Sequence, residues 1–411
     1  MCEVSKTVKD VVDKLRNNPV FRMSLASKEL FHSNMLAWFL ESRDSEDPLL
    51  SDIAKELAKL FMPDYTVLTV LRERKHFDLL VVLFPTKDYN DFIKNSLTEI
   101  AEFFQNSEPI LENLLEKLKS CKFAVVENKF KSIPNKDQLD GYKNKAKITF
   151  KTKGNKIKIE MNNDNTTYYL LAPQVSLKHF EKCGWQEISW NKISDTLSEA
   201  VKTKEKSDPF TFQFIKYYAD FLKDMLELTK DIEKKLEPND NPAFPKREDI
   251  TELSKIRIHD FYEKLWFSVL LSKIETVENV KKGGGYSHSS GLVEFQISKD
   301  NVVYYGVQIQ QCQFRLFVLP KCKCTAEYDE KIKTYCSGVL EIMKEKLREN
   351  LKFSKKHNTE ELHRFGDFKY RFIPLEKNKK ISIEELQKMI NSALYAIYHL
   401  PLEDLEAEEK K

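Results

Sequence analysis

From Leu79 to Phe84 the chain reads Leu-Leu-Val-Val-Leu-Phe, an apolar run without a break. Successive side chains of a strand point to opposite sides of a sheet, so this strand has no polar face to give to water. It must be central in its sheet and covered on both sides. Helical patterns nearby supply the cover. In residues 27–41, Ser27 is the expected N-cap and Leu30, Phe31, Met35, Trp38 and Phe39 recur at helical spacing. A second helix is expected over 49–61, closed by Pro63, and the segment 88–119 is again helical. Strands are expected over 65–74, 76–84, 122–129 and 166–173, with a short polar helix at 135–147 and helices at 192–204 and 209–236. The pattern is that of an α/β fold with a central sheet flanked by helices.

Two of these apolar strands carry charge at one end. Asp78 opens the first, and Glu127, Asn128 and Lys129 close the strand that begins at Lys122. Glu127 and Lys129 continue the row of Phe123 and Val125 on one face. If the two strands pair, two carboxylates and an ammonium converge at one edge of the sheet. Burying such groups costs several kcal/mol per ion unless a partner or a metal compensates. A divalent cation would offset the repulsion of the carboxylates and act on a phosphoryl oxygen and a water. The structural alternative is a surface salt bridge on an edge strand.

Asp78, followed after a long segment by Glu127-Asn128-Lys129, resembles the active-site pattern of the PD-(D/E)XK nuclease superfamily. The flanking residues extend the resemblance over roughly residues 20–200. "KELFHSNMLAWFLE", with Glu29, His32 and Ser33, resembles the first helix of a bacterial branch; "ERKHFDLLVVL" and "VVENKF" resemble its two catalytic strands; "NKDQLDGY" resembles the next helix, with Gln138 and Tyr142. Phe77 stands where the pattern has proline, and residues 88–119 read as a helical insertion between the strands.

The resemblance implies a restriction-endonuclease-like core that hydrolyses phosphodiesters. It implies Asp78, Glu127 and the carbonyl of Asn128 as ligands of Mg²⁺ or Mn²⁺, with Lys129 acting on the attacking water or the phosphate. Glu29 would assist from its helix, and Gln138 and Tyr142 would line the site or meet the nucleic-acid backbone. DNA is the implied partner, and defence against foreign DNA the implied setting. The alternative is a nuclease fold retained only for binding nucleic acid or protein. Glu73 is a further acid nearby, able to pair with Arg72 or Arg74, and His32 is expected to pack rather than to ligate.

Seven lysines and no acid lie between Lys143 and Lys158, around an expected hairpin over 148–160. Lys151, Lys153 and Lys156 are candidate phosphate contacts; the structural alternative is a solvated edge on which lysines discourage strand-to-strand association. The formal net charge of +3 is too small to argue for a polyanion on its own.

The chain is expected to divide into a nuclease-like unit at 1–205, a connecting helix and Pro-rich strap at 206–248, and an α+β unit at 249–411. The last would hold a helix from about Asp249 to Ile274, a flexible loop over 283–291 and an antiparallel meander turning at Asp300-Asn301. A helix at 327–348, a strand at Tyr370–Pro374 and a helix at 382–398 would follow. It is a candidate for target recognition, homo-oligomerisation or sensing. Gly283–Gly285 lack the following Gly-Lys-Ser/Thr of a P-loop, and Cys312, Cys322, Cys324 and Cys336 lack zinc-knuckle spacing. No run approaches the roughly 18 apolar residues of a membrane span. Seven scattered cysteines suit a reducing cytoplasm.

Overall fold

A computed structural model of the chain describes residues 4–25, 28–73, 77–130, 136–145, 148–150, 159–173, 184–203, 208–276, 280–287, 290–298, 303–310, 312–321, 340, 363–365, 368–375 and 381–399. The chain forms two compact units, one built on Ser5–Lys230 with Lys255–Arg257, the other on Asp231–Ser254 and Ile258–Lys411.

The first unit opens with α1 (Lys6–Asn17) and α2 (Pro19–Ser24), for which the sequence pattern gave no expectation. Asn18 both caps α2, accepting from Phe21 N at 3.0 Å, and donates to the carbonyl of Tyr217 at 2.8 Å. The next two helices are α3 (Lys28–Glu41) and α4 (Pro48–Phe61). Asp47 caps α4 through Leu49 N at 2.9 Å, with Pro48 as the first helical residue.

The sheet begins with β1 (Tyr65–Arg72) and β2 (Leu79–Pro85), an antiparallel pair. The inserted helices α5 (Asp91–Asn95), α6 (Leu97–Asn106) and α7 (Glu112–Leu118) come next. The chain then returns as β3 (Lys122–Asn128), antiparallel to β2 with Leu79 opposite Val126. The helix α8 (Lys136–Lys145) and the small pair β4 (Thr149–Phe150) and β5 (Ile159–Glu160) connect β3 to β6 (Thr166–Ala172), which lies parallel to β3. A parallel pair needs such a crossover. The strand β7 (Gln186–Ser189), not foreseen in the sequence, adds in parallel, giving the order β1-β2-β3-β6-β7 with β3 at the centre. The helices α9 (Trp190–Thr203) and α10 (Pro209–Leu236) follow.

Leu80, Val82 and Phe84 of β2 and Phe123 and Val125 of β3 share one cluster with Ile100, Phe103 and Phe104 of α6 and Leu114 and Leu115 of α7. The insertion is therefore a roof on the sheet. Phe150 of β4 enters the same cluster, stacked on Phe123 at 5.8 Å and edge-on to Phe104 at 4.9 Å. The described base of the expected Lys-rich hairpin is thus packed on the roof; Lys151, Lys153 and Lys156 themselves lie outside the described residues.

The second unit contains a six-stranded antiparallel sheet whose neighbours run in the order His363–Phe365, Phe368–Pro374, Gln313–Pro320, Val303–Gln310, Ser290–Ile297 and Lys281–Ser287. The expected helix over 249–274 is instead two, α11 (Arg247–Ser254) and α12 (His259–Lys273), separated where Arg257 takes a left-handed φ of 63°. The expected loop over 283–291 is also corrected. Lys281–Ser287 forms β8, an edge strand paired with β9 (Ser290–Ile297), and Gly283–Gly285 take part in that ladder. The meander continues as β10 (Val303–Gln310) and β11 (Gln313–Pro320), then β12 (His363–Phe365) and β13 (Phe368–Pro374).

Gly291 is a requirement of packing, because a Cβ there would lie 2.7 Å from the carbonyl oxygen of Glu263 in α12. The Pro-rich stretch is a strap bonded into the unit. Ala243 N donates to Ile381 O at 2.9 Å, and the Trp266 indole donates to Ala243 O at 2.8 Å. The closing helix, Ile383–Tyr398, starts in a capping box of Ser382 and Glu385. The expected turn at Asp300-Asn301 and, apart from the buried Leu340, the expected helix at 327–348 lie outside the described residues. No helix among the described residues is long and apolar enough to cross a membrane.

Candidate active site

The antiparallel pairing of β2 with β3 brings the start of one to the end of the other. Asp78 immediately precedes β2, while Glu127 and Asn128 end β3. The main-chain N–H of Asn128 donates to Asp78 Oδ2 at 2.7 Å. Lys129 Nζ lies 2.7 Å from Glu127 Oε1, and both side chains are almost fully buried, 10% and 3% exposed. The ladder continues past the strand, with Lys129 N donating to Leu171 O of β6 at 2.8 Å. Since β3 is the central strand, a surface ion pair on an edge strand is ruled out. The two acids and the lysine converge as the alternation predicted.

Residues around them fix this edge. Phe77, in the place of the pattern's proline, is fully buried in the cluster beneath the roof, and the ring of Tyr142 on α8 meets it edge-on at 5.7 Å. Tyr142 is therefore braced beside the segment that presents Asp78. Gln138 lies one turn earlier in α8, and Glu29 lies in the first turn of α3. The side chains of Gln138 and Glu29 lie outside the described residues. Glu73 is exposed in the β1–β2 turn at φ 52°, its N–H donating to the carbonyl of Asp78 at 3.2 Å.

Asn128 and Phe130 point to the other side of the sheet. There the Asn128 side chain donates to Ser33 Oγ of α3 at 3.0 Å. His32 is fully buried in an aromatic box: its ring centroid lies 4.0 Å from that of Phe130 and 5.4 Å from that of Phe221, and its Nδ1 lies 3.0 Å from the Tyr218 hydroxyl. His32 is thus a packing residue. The sequence pattern held no sign of Tyr218, and of the Ser33–Asn128 contact only the adjacent His-Ser pair on a helix.

Residues 20–220 match the family model of the PD-(D/E)XK nuclease superfamily. This segment belongs to that superfamily. Its mixed five-stranded sheet flanked by helices agrees with a restriction-endonuclease-like fold. No curated protein and no solved structure gives a significant match.

In the PD-(D/E)XK unit the donors suited to a hard cation are oxygens: the carboxylates of Asp78 and Glu127 and the carbonyl of Asn128. Among the described residues no group of three or more His, Cys, Asp or Glu side chains comes together as a metal cage. Two carboxylates at the ends of paired strands still fit magnesium chemistry, in which one or two carboxylates hold the ion together with water and phosphate oxygens. Of Cys312, Cys322, Cys324 and Cys336, only Cys312 lies among the described residues, in the turn between β10 and β11.

Proposed function

We propose that the chain is a metal-dependent DNA endonuclease of the PD-(D/E)XK type. One observation carries the reading. A lysine and a glutamate are held together at 2.7 Å, almost fully buried, at the end of a central strand beside a second carboxylate. A buried ion pair contributes little to stability relative to apolar side chains of similar volume. Its place at the strand end, in a family of nucleases, accords with chemistry rather than scaffolding.

In this reading Asp78, Glu127 and the Asn128 carbonyl would hold Mg²⁺ or Mn²⁺, which when bound polarises a phosphoryl oxygen and lowers the pKa of a bound water. Lys129 is kept in place by Glu127 and orients the attacking water or steadies the charge that develops on the phosphoryl oxygens. Gln138 and Tyr142 on α8 flank the same edge, with Tyr142 braced by Phe77. Glu29 assists from α3. Lys151, Lys153 and Lys156 contact the DNA backbone. DNA as substrate and a setting in defence rest on the family alone.

The test is incubation of the purified chain with plasmid and single-stranded DNA in Mg²⁺, Mn²⁺, Ca²⁺ and chelator, beside Lys129→Ala. Cleavage with Mg²⁺ or Mn²⁺, lost in chelator and in the variant, is the expected result. Ca²⁺ should bind without supporting turnover, because its looser coordination places the water poorly. Cleavage that survives complete chelation overturns the metal mechanism.

A further inference from the structure

Asn128 stands between the acid and the lysine, yet its side chain leaves the sheet on the side away from them. Its Nδ2 donates to Ser33 Oγ at 3.0 Å, and both residues are buried. Its main-chain N–H donates to Asp78 Oδ2 at 2.7 Å. One residue thus joins α3 to the end of β3 through its side chain, and the end of β3 to the first acid through its backbone. Two positions along on the same side, Phe130 is held against His32, the neighbour of Ser33 in α3. The helix therefore grips the strand end at two successive inward positions, from behind the candidate chemistry.

We propose that Ser33 and the Asn128 side chain are positioning residues that set the separation and orientation of the Asp78 and Glu127 carboxylates. This rests on the reading of those two acids as metal ligands. A small hard cation demands near-octahedral geometry, so carboxylates on two different strands must be held in register with each other. The hydroxyl of Ser33 fixes the plane of the Asn128 amide. The amide fixes the rotation of the last peptide of β3, and that peptide aims its N–H at Asp78. Neither side chain touches the metal or the substrate. Outer partners of metal ligands commonly change affinity or activity ten- to a hundredfold when removed.

The experiment is Mn²⁺ titration of the full chain without nucleic acid, read by electron paramagnetic resonance of the free ion. Thermal melting and cleavage kinetics accompany it. Ser33→Ala should weaken Mn²⁺ binding about tenfold or more. It should lower kcat while leaving KM for DNA unchanged, and Ser33→Thr, which keeps the hydroxyl, should restore both. If Ser33→Ala does not fold, Ser33→Cys takes its place, being of similar size with a much weaker acceptor. A folded Ala or Cys variant with the parent's Mn²⁺ affinity overturns the positioning role. If the parent and Asp78→Asn bind Mn²⁺ alike, or neither binds it, the assignment of the two acids fails, and the positioning role falls with it.

Discussion

Glu127 and Lys129 present a test at the scale of single residues. Removing one member of a buried ion pair costs about 3–5 kcal/mol, because the other charge stays behind. Lys129→Ala and Glu127→Ala are therefore expected to lose both cleavage and stability, measured by plasmid nicking and urea unfolding. The double variant Glu127→Gln/Lys129→Met should recover most of the stability and none of the activity. A double variant that cleaves DNA would dismiss the pair as chemistry. Asp78→Ala should stop cleavage and lower stability as well, since the charge-assisted hydrogen bond from Asn128 N–H that it removes is worth about 1.5–3 kcal/mol. These positions were legible in the sequence because charge at the end of an all-apolar strand has no packing explanation. Ser33 was marked by the family pattern but its partner was not, because a hydroxyl on an apolar helix reads the same whether it bonds its own backbone or a strand elsewhere in the fold. Phe77 is half legible: it stands where the family pattern has proline, but its burial beneath the insertion depends on helices whose docking the sequence does not state.

Among the elements, the inserted helices and the Lys-rich hairpin share one aromatic contact through Phe104, Phe123 and Phe150. Phe150→Ala should cost about 3–5 kcal/mol in urea unfolding, the range for emptying a buried aromatic site. A loss below about 1 kcal/mol would mean that the hairpin base is not part of the roof. Replacing Lys151, Lys153 and Lys156 with Gln should weaken binding to every DNA sequence alike and flatten the log–log salt dependence by about two to three units. Base preference should stay the same, since phosphate contacts position without specifying. An unaltered slope would return these lysines to the role of a solvated edge. Strands with apolar side chains announced themselves by period. The glycine strand β8 did not, because without side chains its extended form comes from the ladder with β9 rather than from its own preference. The break between α11 and α12 was hidden for the opposite reason: apolar residues continue across it, and only the backbone turn at Arg257 reveals it.

At the scale of the whole molecule, two compact units should respond separately to change. In the second, Gln308 Nε2 donates to Glu294 Oε2 at 2.9 Å across neighbouring strands, and Gln296 donates to Glu294 as well. Burial nevertheless pushes the Glu294 carboxyl above its ordinary range, outweighing the hydrogen bonds that pull it down. A raised folded-state pKa gives stability that is full below the unfolded value of about 4.3 and lost as pH rises through the folded value. Calorimetry should show one transition that falls over that interval and loses the trend in Glu294→Gln, with a higher melting temperature at neutral pH. A variant that melts lower and keeps the slope would contradict this. A last consequence concerns where the polypeptide can be cut. The boundary between the units follows Lys230, inside the 28-residue helix α10, while Tyr218 and Phe221 of that helix wall the box around His32. An expression fragment stopped at residue 205, the expected end of the nuclease-like unit, would strip that wall from the back of the strand that carries Glu127. It should emerge as insoluble material, whereas one carried through Leu236 keeps the helix whole.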